Sequence, residues 1–297
     1  MAMSHNWENW VSESQFARNE AIAGMRELCE VRQPDGLWDK TGNSGRHALH
    51  SALLRFTTGL ERLAKLTLAC NAISTNQPFK PRNQGHSLGD LLQKVSTIDC
   101  GAEPCKDYNG EVVDSILHEP AYPLVLDLLT GFAMGGRRYE FMDHLGTPTP
   151  PKSLYEEWRG IVGVLPSLEF TDEIVATANA KEDIAFALSA ALGNQGLSVE
   201  NLLANSSIHF PAYTNEGVNF SLFCYRLVRL VCVRLCHVAD EIWQSQASLQ
   251  FPYLREILAP SFHHSPQDFA EFFLLEVGDL EMYEEEWGNL LAYNADD

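Results

Sequence analysis

Three groups of residues have the types and spacings that chemistry requires. Cys100, Cys105 and His118 follow C-x4-C-x12-H, three of the four ligands of a zinc-finger spacing. The next histidine is His144, so Asp107 or Asp114 would have to complete the set. A loop carrying two thiols, with no metal, is the expectation. Cys232, Cys236 and His237 lie on a strongly apolar stretch with the two thiols one helical turn apart, where cysteine packs as a small hydrophobe. The same stretch carries Arg226, Arg229 and Arg234, with Asp240 and Glu241 further on. Buried guanidinium groups need partners, so an internal ion-pair network is expected there in preference to a ligand pocket.

Other basic residues read more plainly. Arg82 and His86 flank the start of a short helix, and His86 is expected to anchor its end. Arg46, His47 and His50 read as a solvated first turn. His263 and His264 stand beside Pro266 in a loop. The chain has no G-x-G-x-x-G, no P-loop, no H-E-x-x-H and no G-x-S-x-G, which weighs against a dinucleotide enzyme, a P-loop NTPase, a zincin and an α/β-hydrolase.

The elements that must position these groups are helices. From Arg46 to Ile73, Leu49, Leu53, Phe56, Leu60, Leu63, Thr67 and Cys70 alternate steps of four and three, while Ala52, Gly59, Leu66 and Ile73 recur beside them. That pattern makes one broad apolar stripe on a helix about 42 Å long, which a strand could not use. Residues 7–32 read as a first helix that Ser12 or Ser14 caps, and Ser87 reads as the cap of a short helix with Asp90 three residues on. Helical blocks follow at 122–134, 153–165, 172–192, 197–204, 216–246, 252–258 and 267–291, with 135–146 a short helix. Strand-like alternation is scarce. The expected fold is all-α, a multi-helix bundle organised on the long helix at about 46–73. TPTPP at 147–151 places the boundary between a first bundle (1–147) and a second helical region (152–297) packed on it.

The segments RFTTGLERLAK (55–65) and GHSLGDLLQKV (85–95) resemble the HEPN superfamily, named for its higher eukaryote and prokaryote nucleotide-binding members. That family's bundle often has a long helix with a G-L-E-R-L-type segment, followed by a G-H-x-L-x-x-L helix start. GGRRYEFMDHL (135–145) is similar to the arginine–tyrosine segment at the end of the same bundle. The resemblance covers about residues 46–160. It implies a helical protein acting through macromolecular contacts, in a prokaryotic defence or toxin-type setting, and often as two chains facing each other. Catalytic members cut RNA without a metal, using an arginine with four to six residues between it and a histidine. Here that pair is Arg137 or Arg138 with His144. On a continuous helix Arg137 and His144 share a face, so that His144 would move a proton to or from a ribose hydroxyl while the arginine holds the phosphate. Against this, Glu140 lies four before His144 and would pair with it structurally.

Charge narrows the partners. The chain of 297 residues carries a net charge of −19. Residues 1–100 hold 11 Lys/Arg against 10 Asp/Glu, while 268–297 hold ten acids and no Lys or Arg. Such a surface repels phosphate backbones at long range, so RNA is expected only at a local site. The acidic C-terminal third points to the alternative, a non-catalytic interaction or inhibitory module with a protein partner or a second copy of itself. The stretch 218–243 is long enough to span a bilayer, but its three arginines make it a buried helix instead. MAMSHNWENW shows no secretion signal, and seven cysteines make no disulfide framework, so a reducing cytoplasm is expected. No cofactor is expected.

Overall fold

The computed structural model describes residues 5–31, 44–101, 104–135, 138–139, 145, 153–194, 213–246, 251–275 and 285. The apolar stripe does organise the chain. Helix α2 (Ser44–Ser74) runs unbroken for 31 residues. Leu49, Leu53, Phe56, Leu60, Leu63, Thr67 and Cys70 are all fully buried along it, and of the flanking Ala52, Gly59, Leu66 and Ile73 only Ile73, at the far end, is exposed.

Helix α1 (His5–Cys29) makes the most extensive contact with α2. Two glycines permit it. A β-carbon on Gly24 would stand 2.5 Å from the Phe56 amide nitrogen, and one on Gly59 would stand 2.5 Å from the Ala21 amide nitrogen. Ser12 and Ser14 lie inside α1 and do not cap it. Trp10 packs on Phe251 with ring centroids 5.2 Å apart, so a tertiary contact carries the helix past the serines.

The short helices obey their local signals. Ser87 accepts from the Asp90 amide at 3.3 Å and starts α3 (Leu88–Ser96), which buries Leu88, Leu91, Leu92 and Val95. Helix α4 (Tyr122–Ala133) buries Val125, Leu129 and Phe132 and gives way at Gly135, whose φ of +91° suits glycine. A capping box between Ser153 and Glu156 opens α5 (Leu154–Val162). Helices α6 (Thr171–Asn194), α7 (Asn215–Gln246) and α8 (Leu254–Phe262) follow. Helix α9 (Pro266–Phe269) runs into a π-helical turn at Ala270–Leu274. The block expected at 197–204 and most of 135–146 and 276–291 lie outside the described residues.

Helix α7 is buried around nearly its whole circumference, as a helix apolar on all sides must be, and packs on both α1 and α2. Among the described residues no helix is long and apolar enough to cross a membrane. The one sheet-like pairing among them is an isolated antiparallel bridge between Lys106 and Val112. The fold is an all-α multi-helix bundle organised on α2.

Candidate functional site

The arginines of α7 find their counter-charges on a loop, not on their own helix. Arg226 pairs with Glu119, Arg229 with Asp107 and, at 2.6 Å, with Glu111, and Arg234 with Asp114. The segment 105–119 is built for this. Asp107 accepts from the amides of Asn109 and Glu111 at 2.9 Å each, which fixes its carboxylate in a tight turn. Asp107 and Asp114 therefore neutralise arginines and are not spare metal ligands. Cys100 and Cys105, read as two thiols, are joined in a disulfide at the root of this segment. Among the described residues no cluster of His, Cys, Asp and Glu has the makings of a metal site.

The turn at Asp107 is clamped by rings. Tyr108 lies between the Arg255 guanidinium, 3.7 Å from its centroid, and the His263 ring, stacked at 4.4 Å. Its hydroxyl donates to Asp240 at 3.3 Å, and Arg255 also pairs with Asp240. Burial lowers the His263 pKa to about 4 and raises that of Asp240, which Arg255 partly offsets. Burial likewise pushes the free thiols of Cys29, Cys70, Cys224, Cys232 and Cys236 upward, so they stay protonated and are inert as nucleophiles.

A different arrangement forms where α2 passes the end of α4. A cavity of about 350 Å³ is lined by Thr58, Glu61, Arg62, His86, Ala133, Met134, Gly135, Arg138 and Tyr139. The lining comes from three separated stretches: the middle of α2, the turn before α3, and the turn after α4. His86 Nδ1 lies 2.9 Å from Glu61 Oε1, and Lys65 Nζ donates to the same oxygen at 2.7 Å. A carboxylate only accepts, so Nδ1 carries a proton and donates to Glu61. The His86 side chain is 70% exposed, which leaves it open to solvent.

Arg138 is held from behind. His50 Nε2 donates to its carbonyl at 2.7 Å, with the His50 ring edge-on to Phe132. His50 is thus engaged in the fold and is no solvated first-turn residue. The Arg138 guanidinium lies 5.9 Å from the Phe132 centroid, and its Nε is buried with no hydrogen-bond partner among the described residues. Arg138 and Tyr139 lie in a turn just beyond Gly135, which ends α4 in a left-handed conformation; apart from these residues and Leu145, the short helix expected at 135–146 lies outside the described residues. Arg137 and His144 lie outside the described residues.

No family model, curated protein or solved structure matches this chain. The site therefore stands on its geometry. An arginine and an imidazole hydrogen-bonded to a carboxylate, lining one cavity, are groups able to hold a phosphate and move a proton. His86 belongs to the cavity although spacing along the chain suggests only a helix anchor. Its partner Glu61 is on another helix, 25 positions earlier, and no local pattern links the two.

Proposed function

We propose that this chain is a HEPN-like helical protein that cuts RNA without a metal at the cavity of Glu61, His86 and Arg138, as part of a prokaryotic defence or toxin-type system. One observation carries the reading. The three segments that resemble the family, at 55–65, 85–95 and 135–145, each contribute side chains to the same cavity: Glu61 and Arg62, His86, and Arg138 with Tyr139.

The chemistry follows from those groups. Arg138 holds the phosphate and stabilises the charge that develops on it. His86 Nε2 takes the proton of a ribose 2′-hydroxyl, whose oxygen attacks the adjacent phosphorus. The bond from phosphorus to the 5′-oxygen breaks, and a second acid returns a proton to that oxygen. The products carry a 2′,3′-cyclic phosphate and a 5′-hydroxyl. The resemblance gives Arg137 or Arg138 with His144 as the arginine–histidine pair of the family, and His144 is the second proton-moving group in this proposal.

The test uses mixed RNA in excess chelator. Wild-type protein is expected to cleave it, with activity lost in Arg138→Ala and His144→Ala and reduced at least about a hundredfold in His86→Ala. RNA left intact by wild-type protein at high concentration overturns the reading. In that event the interaction module becomes the better reading, on the strength of the ten acids in 268–297. Its truncation must start after Leu275, because Phe269, Ala270 and Leu274 are fully buried.

A further inference from the structure

One covalent bond stands apart from the helical core. Of the seven cysteines, Cys29, Cys70, Cys224, Cys232 and Cys236 lie on α1, α2 and α7 as fully buried free thiols. Cys100 and Cys105 are joined in a disulfide just beyond the end of α3. Their Cα atoms are 5.8 Å apart, a separation that a disulfide spans without moving the backbone. Both line a cavity of about 500 Å³ whose rim includes the exposed Thr97, Pro104 and His118, so the cavity meets solvent beside the bond.

The bond joins residues five positions apart, so it removes little freedom from the unfolded chain. A disulfide that solvent reaches resists reduction less than one sealed in a core. The two pieces of chain it joins are also tied without it. Arg234 donates to the Ser96 carbonyl at the end of α3 at 3.4 Å and to Asp114 Oδ1 at 2.5 Å. Asp114 Oδ2 accepts from the Cys105 amide at 2.8 Å, and the Cys105 carbonyl accepts from the Val113 amide at 3.0 Å. Opening the disulfide therefore leaves Cys105 anchored to α7 through Asp114, near enough to Cys100 for the bond to form again. The five helical thiols are buried and held protonated, so none of them exchanges with the pair.

We infer that Cys100–Cys105 is a reversible redox-modification site, opened and closed by a small thiol of the glutathione class, and that its state sets how firmly segment 105–119 is held against α7. It is independent of the proposed function. A thiolate of the small thiol attacks one sulfur, the S–S bond breaks, and the other sulfur leaves as a thiolate that takes a proton from solvent. A second small thiol attacks the mixed disulfide and releases the remaining cysteine as a thiol. Two small thiols are thereby oxidised to their disulfide, and the protein gains two electrons and two protons. Arg234 is then the one clamp among these contacts that still joins the end of α3 to Asp114.

The test equilibrates the full chain, at neutral pH and without denaturant, in glutathione buffers whose reduced-to-oxidised ratio is stepped over about four decades. Alkylation of the native protein and peptide mass analysis then read each cysteine. Cys100 and Cys105 are expected to pass together from disulfide to dithiol within that range, to return on the reverse titration, and to be the two cysteines labelled. Amide hydrogen exchange in 105–119 should quicken at least about tenfold on reduction, and the melting temperature should fall by roughly 3–6 °C. Cys100→Ser should stay at the reduced melting temperature in every buffer. The titration itself needs no variant, so a misfolded Cys100→Ser leaves the result standing. A disulfide that persists in the most reducing buffer is a static staple and overturns the inference, as do two free thiols in the most oxidising one. Exchange in 105–119 that ignores the redox state overturns the claim that the bond holds this segment.

Discussion

His86 Nδ1 stands 2.9 Å from Glu61 Oε1, and that hydrogen bond ties the turn before α3 to the middle of α2. The pair matters because the carboxylate holds Nδ1 as a donor and so orients the ring that lines the cavity. Lys65 shares the same oxygen, which holds Glu61 in place along the helix.

Replacing Glu61 by glutamine keeps the shape of the side chain and removes the fixed acceptor charge. We expect Glu61→Gln to slow RNA cleavage by about tenfold or more without lowering the melting temperature by more than about 2 °C. The measurement is single-turnover cleavage beside a thermal melt. Unchanged cleavage would mean that His86 needs no orientation by Glu61.

His263 makes stability depend on pH. Burial chiefly holds its pKa near 4, with Asp107 pulling upward and Arg255 and Arg229 downward, against 6.5 for the ordinary group. Between those values the unfolded chain binds a proton that the folded chain refuses, so stability falls as pH drops from 6.5 toward 4 and is unaffected by this group above 6.5. From pH 6.5 to about pH 5 the loss is roughly 2 kcal/mol. His263→Phe keeps a ring on Tyr108 and should remove that part of the slope, as read from urea midpoints at both pH values. A variant with the same slope as wild type would refute the assignment.

The close approach of α1 and α2 sets a steric prediction. Gly24→Ala and Gly59→Ala each drive a methyl group against backbone atoms that cannot rotate away, Phe56 N in one case and Ala21 N in the other. Each should cost about 1–3 kcal/mol, toward the upper end because the clash is with main chain. Chemical denaturation that shows no change at either site would place the helices further apart than described.

Asp107 is the deepest of the loop carboxylates, with its side chain fully buried against Arg229. Asp107→Ala leaves Arg229 with Glu111 as its remaining partner and opens the turn at Asn109 and Glu111, for an expected loss of about 1–3 kcal/mol. Asp107→Asn retains the turn through its carbonyl oxygen and should lose less. Equal losses for the two would mean that the turn contributes nothing.

Sequence periodicity disclosed the bundle because α2 buries its apolar stripe fully and leaves its charged residues at least partly exposed, a difference that step size along the chain records directly. Helix α1 was legible too, at 7–32 against His5–Cys29, but its cap was not, since Ser12 and Ser14 lie inside the helix and Trp10 before them is held by Phe251. The need of the α7 arginines for counter-charges was legible in their burial, but the partners Asp107, Glu111, Asp114 and Glu119 were not. They arrive on a loop shaped by the Cys100–Cys105 disulfide and the Asp107 turn. At the cavity the arginine of the Arg-Arg-Tyr run was visible in the chain, whereas the pairing of His86 with Glu61 depends on how two helices cross.

The most direct measurement is the chemistry of the RNA ends after incubation with wild-type protein in excess chelator. Cleavage giving 2′,3′-cyclic phosphate and 5′-hydroxyl ends is the predicted result. Intact RNA at protein excess, or ends bearing a 3′-hydroxyl, would contradict a cavity in which His86 and Arg138 perform the cut.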